Sequence, residues 1–176
     1  MLKIVESPDP ILATVCEPCV PGDKDLKRLA KQMQHAMYKN SGCGIAAPQV
    51  GVTKRLVVID VDWDGDAGEK NPIVLVNPEV VELRGEPEVA GEGCLSCPGV
   101  NVAVRRQPWA RVRYFDLEGE EWEIEGDDLL GRCLQHEIDH LHGTVMLDHL
   151  GPIARARAAT RVRQAIAEGV RPGETE

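Results

Sequence analysis

Aromatic side chains are scarce, with one Phe, two Tyr and three Trp among 176 residues. The core therefore has to rest on Val, Leu, Ile and Ala. Long apolar runs are missing as well: none approaches the ~20 residues of a membrane-spanning helix. Lys3, Glu6 and Asp9 interrupt the N-terminus before an apolar stretch can form. We therefore expect no secretory leader and a cytoplasmic location. Basic charge is in deficit, since 20 Lys and Arg against 29 Asp and Glu leave a formal charge of −9. That balance argues against a surface built to hold nucleic acid, and no specific nucleic-acid sequence is expected as a partner. Internal repeats and low-complexity tracts are absent too.

What remains is an ordinary globular composition, 43% hydrophobic and 28% charged, at a length that suits one domain over 1–176. Six cysteines in an unexported chain should stay reduced, which makes them candidate ligands, nucleophiles or core residues. One segment departs from the acidic balance: residues 151–167 hold Arg155, Arg157, Arg161 and Arg163 and no acid.

Apolar spacing at Leu26, Leu29, Ala30, Met33 and Met37 predicts an amphipathic helix over 25–40, closed by Asn40-Ser41-Gly42. Strand-length runs follow at 55–61, 73–76, 80–83, 100–104, 110–116 and 121–124, with Glu118-Gly119-Glu120 fitting a hairpin between the last two. Two helices close the pattern. One runs from the acidic start at Asp127 and Asp128 to a stop at Gly143, and the other spans roughly 153–167 with a stop at Gly169. Residues 171–176 are expected to fray. Strands grouped between helices indicate α+β, with mostly antiparallel strands packed around a central helix and a helix at each end.

That central helix carries His136-Glu137-Ile138-Asp139-His140. Positions i and i+4 share a face, so both imidazoles can reach one ion, and Glu137 can reach a water on it. Two His are too few for a full shell. A third His in the extended zinc-peptidase pattern would fall at Met146, and no Glu lies between Glu137 and Glu168. Asp148 and His149 sit too near the helix end. Cys94, in Glu92-Gly93-Cys94-Leu95-Ser96, is the better third ligand, giving a thiolate, two imidazoles and an open position. Two other readings stay open. One is a different His-Glu-x-x-His metallopeptidase. The other is a zinc-stabilised interaction module closed by Cys16, Cys19, Cys94 and Cys97, although those pairs lie about 75 residues apart, where compact ribbons close over roughly 15–20.

Gly42-Cys43-Gly44-Ile45-Ala46-Ala47-Pro48-Gln49, Glu92-Gly93-Cys94-Leu95-Ser96 and Gln135-His136-Glu137-Ile138-Asp139-His140 together resemble, in order and content, the three signature motifs of the peptide deformylases. The resemblance implies removal of the formyl group from N-formylmethionine at the start of new bacterial or organellar polypeptides. It implies one divalent metal, Fe2+ in the native bacterial form and replaceable by Zn2+ or Ni2+. By position it assigns Cys94, His136 and His140 as ligands and Glu137 as the catalytic glutamate. Gln49 and the backbone N–H of Leu95 become the oxyanion donors. In that setting hydroxide on the ion attacks the formyl carbon, and Glu137 moves the proton to the departing amine.

Gly42 and Gly44 then remove side chains where a peptide backbone approaches. Leu129 and Cys133, on the His136 face of the helix, are candidate walls for the Met side chain. Glu92 and Gln135 read as supports that orient ligands or the loop, and Asp139 as structural. Two departures stand out: Cys97 replaces a common aliphatic residue, and no basic residue follows the second motif until Arg105. A substrate at the start of nascent chains suggests contact with the ribosome, for which the Arg-bearing C-terminal helix is the basic element.

Overall fold

The computed structural model describes residues 2–65 and 68–175. Among these residues, three α-helices and seven strands are arranged as α+β. The helices are α1 (Lys24–Lys39), α2 (Asp128–Leu141) and α3 (Pro152–Ala167). The strands are β1 (Gly44–Ala46), β2 (Leu56–Ile59), β3 (Ile73–Arg84), β4 (Glu88–Glu92), β5 (Val102–Arg106), β6 (Trp109–Phe115) and β7 (Glu121–Gly126). A five-stranded antiparallel sheet runs in the order β1-β2-β3-β6-β7, and β4 and β5 form a separate antiparallel pair.

The unbroken apolar run Leu56-Val57-Val58-Ile59 explains the layering. Alternate residues of a strand face opposite sides, and a strand covered on both reads as continuous hydrophobicity. Leu56 and Val58 pack with Leu26, Ala30, Met33 and Met37 of α1. Val57 and Ile59 pack on the other side with Leu134, Ile138 and Leu141 of α2. α1 forms as its spacing predicts, and Asp23 caps it by accepting from the Asp25 N–H. A third cluster joins α3, through Ala158 and Val162, to Val102 and Val104 of β5 and to Cys97.

Three expectations change. The runs at 73–76 and 80–83 are one strand, β3, which passes Asn77-Pro78 through a register shift against β6 between Val76 and Glu79. Such a bulge accommodates a proline that cannot donate to the ladder. The Asn77 side chain braces this point through the Cys19 backbone, accepting from its N–H at 2.7 Å and donating to its carbonyl at 2.9 Å. Asp127 occupies the α2 cap without a side-chain capping bond; its carbonyl instead receives the Gly131 N–H at 3.0 Å. Finally, residues 171–175 return to the body where fraying is expected. The Glu174 carbonyl accepts from the Gly99 N–H at 2.8 Å, and the Gly173 backbone lies against Asn40 so closely that a side chain there would strike the Asn40 carbonyl.

Candidate metal centre

α2 stands with one face on the sheet and its C-terminal half under the loop that carries Cys94. Gly143 ends the helix at φ +73, and a Cβ there would also come within 2.6 Å of the Ala13 carbonyl. The helix brings His136 and His140 together, with ring centroids 5.1 Å apart. Cys94 reaches them from the turn after β4, its Sγ 3.4 Å from His140 Nε2. The candidate ligand atoms of Cys94, His136 and His140 all lie within 4.8 Å of one another, and all three residues are buried. Cys16 and Cys19 belong to two other core clusters, so the four-cysteine zinc module does not assemble among the described residues. Cys97 touches Cys94, thiol to thiol, and is fully buried.

A buried ion-pair network holds the first histidine. His136 Nδ1 meets Glu92 Oε1 at 2.9 Å, which leaves Nε2 for the ligand cluster. Arg106 grips Glu92 with two bonds of 2.6 and 2.9 Å, and Arg132 adds a third at 2.8 Å. Arg106 also donates to Asp139 at 2.9 Å, and Asp139 in turn meets His149 Nε2 at 2.8 Å. Glu92 thus fixes the His136 ring, and Asp139 bridges Arg106 and His149. Gln135 ties the helix to the turn before β6 by donating to the Gln107 carbonyl at 2.9 Å.

Sequence reasoning missed Arg106, Arg132 and His149. Arg106 does leave a trace. It shares the inward side of β5 with Val102 and Val104, and a buried guanidinium at an apolar position requires a carboxylate partner.

A cation binding this cluster would have to displace protons from it. The Cys97 thiol, reinforced by burial, pushes Cys94 up to about 11, so its sulfur is a thiolate only beside a positive charge. Burial disfavours a charged His136, yet hydrogen bonds with Cys94 and Glu92 hold its pKa well above the usual value. Burial also works against ionised Glu92, but its bonds to His136 and Arg106 pull the carboxyl down to about 2. Glu137, buried beside them, is pushed up to about 7 by desolvation, which His136 only partly offsets. Its Oε2 and the His140 Nδ1 have no hydrogen-bond partner among the described residues, although both are buried. A soft-plus-imidazole donor set with an adjacent basic carboxylate fits a divalent transition metal.

Most of the groups predicted to surround that centre line one cavity of about 290 Å³. Its lining includes Gly42, Gly44, Cys94, Leu95, His136 and Glu137, together with Leu129 and Cys133. Leu129 is 52% exposed, at the rim, whereas Cys133 is buried in the wall. Gln49 is buried next to the cluster with its amide fixed. Oε1 accepts from the Ala46 N–H at 2.9 Å, which turns Nε2 toward Ser96 Oγ at 3.2 Å and Cys94 Sγ at 3.5 Å. Gly44 is needed for contact reasons, since a Cβ there would lie 2.5 Å from Glu137 Oε1 and 2.8 Å from Cys133 Sγ. A Cβ at Gly42 would press on the Leu95 side chain at 3.0 Å. Arg132 and Asn101 also line the cavity, with Ser41, Glu92 and Thr175.

Comparison with known proteins gives the same answer from outside. Residues 1–156 match the model of the polypeptide deformylase family. A peptide deformylase of Bartonella tribocorum is 45% identical over 155 residues, covering 88% of this chain and 87% of that one. The crystal structure of a peptide deformylase from Legionella pneumophila superposes with a TM-score of 0.89 at 40% identity, covering 96% of this chain and 97% of the other. A peptide deformylase from Synechococcus elongatus, crystallised in complex with actinonin, superposes at 0.85 with 35% identity, over 97% and 92% of the two chains. With its α+β fold, its Cys-His-His cluster and matches of this extent, the chain is an enzyme belonging to the polypeptide deformylase family.

Proposed function

We propose that this enzyme hydrolyses the formyl group from the N-terminal formylmethionine of newly made polypeptides in the cytoplasm, releasing formate and a free α-amine. The observation that carries this reading is the Cys94, His136 and His140 cluster, with Gln49 Nε2 3.5 Å from Cys94 Sγ, beside a small cavity lined by Cys94, His136 and Glu137. Cys94, His136 and His140 would hold one divalent ion, Fe2+ in the native enzyme with Zn2+ or Ni2+ able to replace it. When bound, the ion supplies Lewis-acid activation of a water and of the formyl carbonyl.

The chain's own residues do the rest. Glu137, with an ordinary pKa raised to about 7, can take a proton from the attacking water and return it to the departing amine. Amines leave poorly unless protonated, so this second transfer matters as much as the first. Gln49 Nε2 and the Leu95 N–H donate to the oxyanion that forms on the formyl carbon, and one such donor is typically worth ~3 kcal/mol. Both donors are neutral, so they leave the charge of the centre unchanged. Gly42 and Gly44 let the substrate backbone approach, and Leu129 and Cys133 bound the space for its Met side chain.

The Arg-bearing helix supports a contact with the ribosome. Arg155, Arg157, Arg161 and Arg163 all lie on the exposed side of α3, and Ile153 beside them is 72% exposed.

The test is formate release from a formyl-Met peptide by the metal-loaded enzyme, without cleavage of internal peptide bonds. Glu137→Ala should abolish turnover while metal content is unchanged. Retained turnover would mean that Glu137 is not the proton carrier, and internal cleavage would favour a peptidase instead.

A further inference from the structure

The wall of the cavity contains a pair of cysteines whose thiols take no part in the proposed proton transfers. Cys43 sits at the end of the loop before β1, and Cys133 lies one turn before His136 on α2. Both line the cavity, and the Cys133 thiol donates to the Cys43 carbonyl at 3.8 Å. Cys43 is the more accessible of the two, and Cys133 is buried behind it. Elements that are 90 residues apart in sequence thus bring Cys133 into contact with Cys43 beside Glu137.

We infer that Cys43 and Cys133 form a reversible dithiol–disulfide pair, oxidised by hydrogen peroxide, that closes the substrate cavity to productive binding. Hydrogen bonding from Cys133 lowers the Cys43 pKa, which suits Cys43 as the attacking sulfur. The chemistry balances in two steps. The Cys43 sulfur attacks one peroxide oxygen and the O–O bond breaks. The sulfur keeps an OH as a sulfenic acid, and the departing hydroxide takes the thiol proton and leaves as water. The Cys133 sulfur then attacks the Cys43 sulfur, forming the S–S bond as the S–O bond breaks, and the OH leaves with the Cys133 proton as a second water. Two thiols lose two electrons, and one peroxide becomes two waters. In a reducing compartment the resting state is the dithiol, and oxidation is transient.

The bond would tie the Gly42–Gly44 segment to α2 and displace the wall that faces Glu137. Its effect on turnover rests on the deformylase reading, whereas its formation does not. Misplacement by about 1 Å at such a site costs about 10²-fold in rate, and a loss of that order in kcat/KM is the expected effect of oxidation.

The experiment uses zinc-loaded enzyme, so that the metal itself is not oxidised, treated with hydrogen peroxide. Peptide mapping should show a Cys43–Cys133 linkage in the natural chain, with zinc retained and activity restored by dithiothreitol. Cys43→Val and Cys43→Ser, each compared with its own untreated activity, should lose far less. A linkage between Cys94 and Cys97 with release of zinc, equal sensitivity of both variants, or no linkage at Cys43 would each overturn the proposal. Failure of the untreated enzyme to release formate would count against the deformylase reading alone, with the mapping still deciding the linkage.

Discussion

Gly44→Ala tests the placement of the Glu137 carboxylate proposed as the proton carrier, with Cys133 Sγ, 2.8 Å from the added methyl, the other group pressed. The added methyl would sit 2.5 Å from Glu137 Oε1 and 2.9 Å from Glu137 Cδ, where ordinary contact begins at 3.4 Å. Roughly 0.9 Å must therefore be found, either by the carboxylate or by β1. β1 is the less free of the two, because three backbone pairs, Gly44 with Ile59 among them, bind it to β2. Gly44 has no left-handed φ, so alanine strains nothing in its own backbone. Glu137 moves, and a displacement near 1 Å corresponds to about 10²-fold in rate, or about 2.7 kcal/mol.

The assay is kcat/KM for a formyl-Met peptide, read beside metal content and thermal midpoint. The expected variant is folded, keeps its metal and turns over about 10²-fold more slowly. Gly42→Ala is the control, since its methyl meets the flexible end of Leu95 at 3.0 Å and a smaller loss follows. Gly44→Ala activity within about threefold of the parent would refute a steric coupling to Glu137. So would loss of metal, which would place the clash on the ligands instead.

Cys94→Ser should abolish metal binding, whereas Cys16→Ser with Cys19→Ser should leave metal stoichiometry intact, as metal analysis of the purified proteins would show. Glu92→Gln leaves Arg106 and Arg132 buried without their shared carboxylate, and should lower stability at neutral pH by about 3–5 kcal/mol in denaturant titration. The folded carboxyl titrates at about 2 rather than 4.5, so its contribution is present above 4.5 and fades as pH falls toward 2. The stability gap between parent and variant should therefore narrow over that window, and a gap independent of pH would show that Glu92 is not the group responsible. Replacing Arg155, Arg157, Arg161 and Arg163 with Gln should weaken co-sedimentation with ribosomes, and unchanged association would end the docking reading.

Features written in short-range spacing were legible in the chain. The apolar stripe of α1 and the His pair of α2 follow from helical periodicity, and the buried β2 follows from an unbroken run of four apolar residues. Pro78 misled, because a proline reads as a strand break and only the partner strand reveals a bulge. The short strands β1 and β4 escaped for a different reason. Gly44-Ile45-Ala46 and Glu88–Glu92 have little β propensity, and they exist through pairing with distant segments. The Glu92–Arg106–Asp139–His149 chain was equally hidden, since each bond joins residues remote in sequence. Cys133 was legible as a wall residue, but its partnership with Cys43 was not, as nothing local links positions 90 residues apart.

That remoteness has a kinetic meaning. Gln49 and Cys94 are separated by 45 residues, and Cys94 and His140 by 46, so no fragment of the chain contains the whole centre in one local element. Closing loops of that length precedes any reward from the contacts they make, which places the ligand cluster late in folding. His136 and His140 share one helix and need no long loop to meet, whereas Cys94 joins them only through the pairing that places the turn after β4. On the proposed ligand assignment, tight metal capture would mark completion of folding, and a chain stalled before that point would hold no ion and remain catalytically silent.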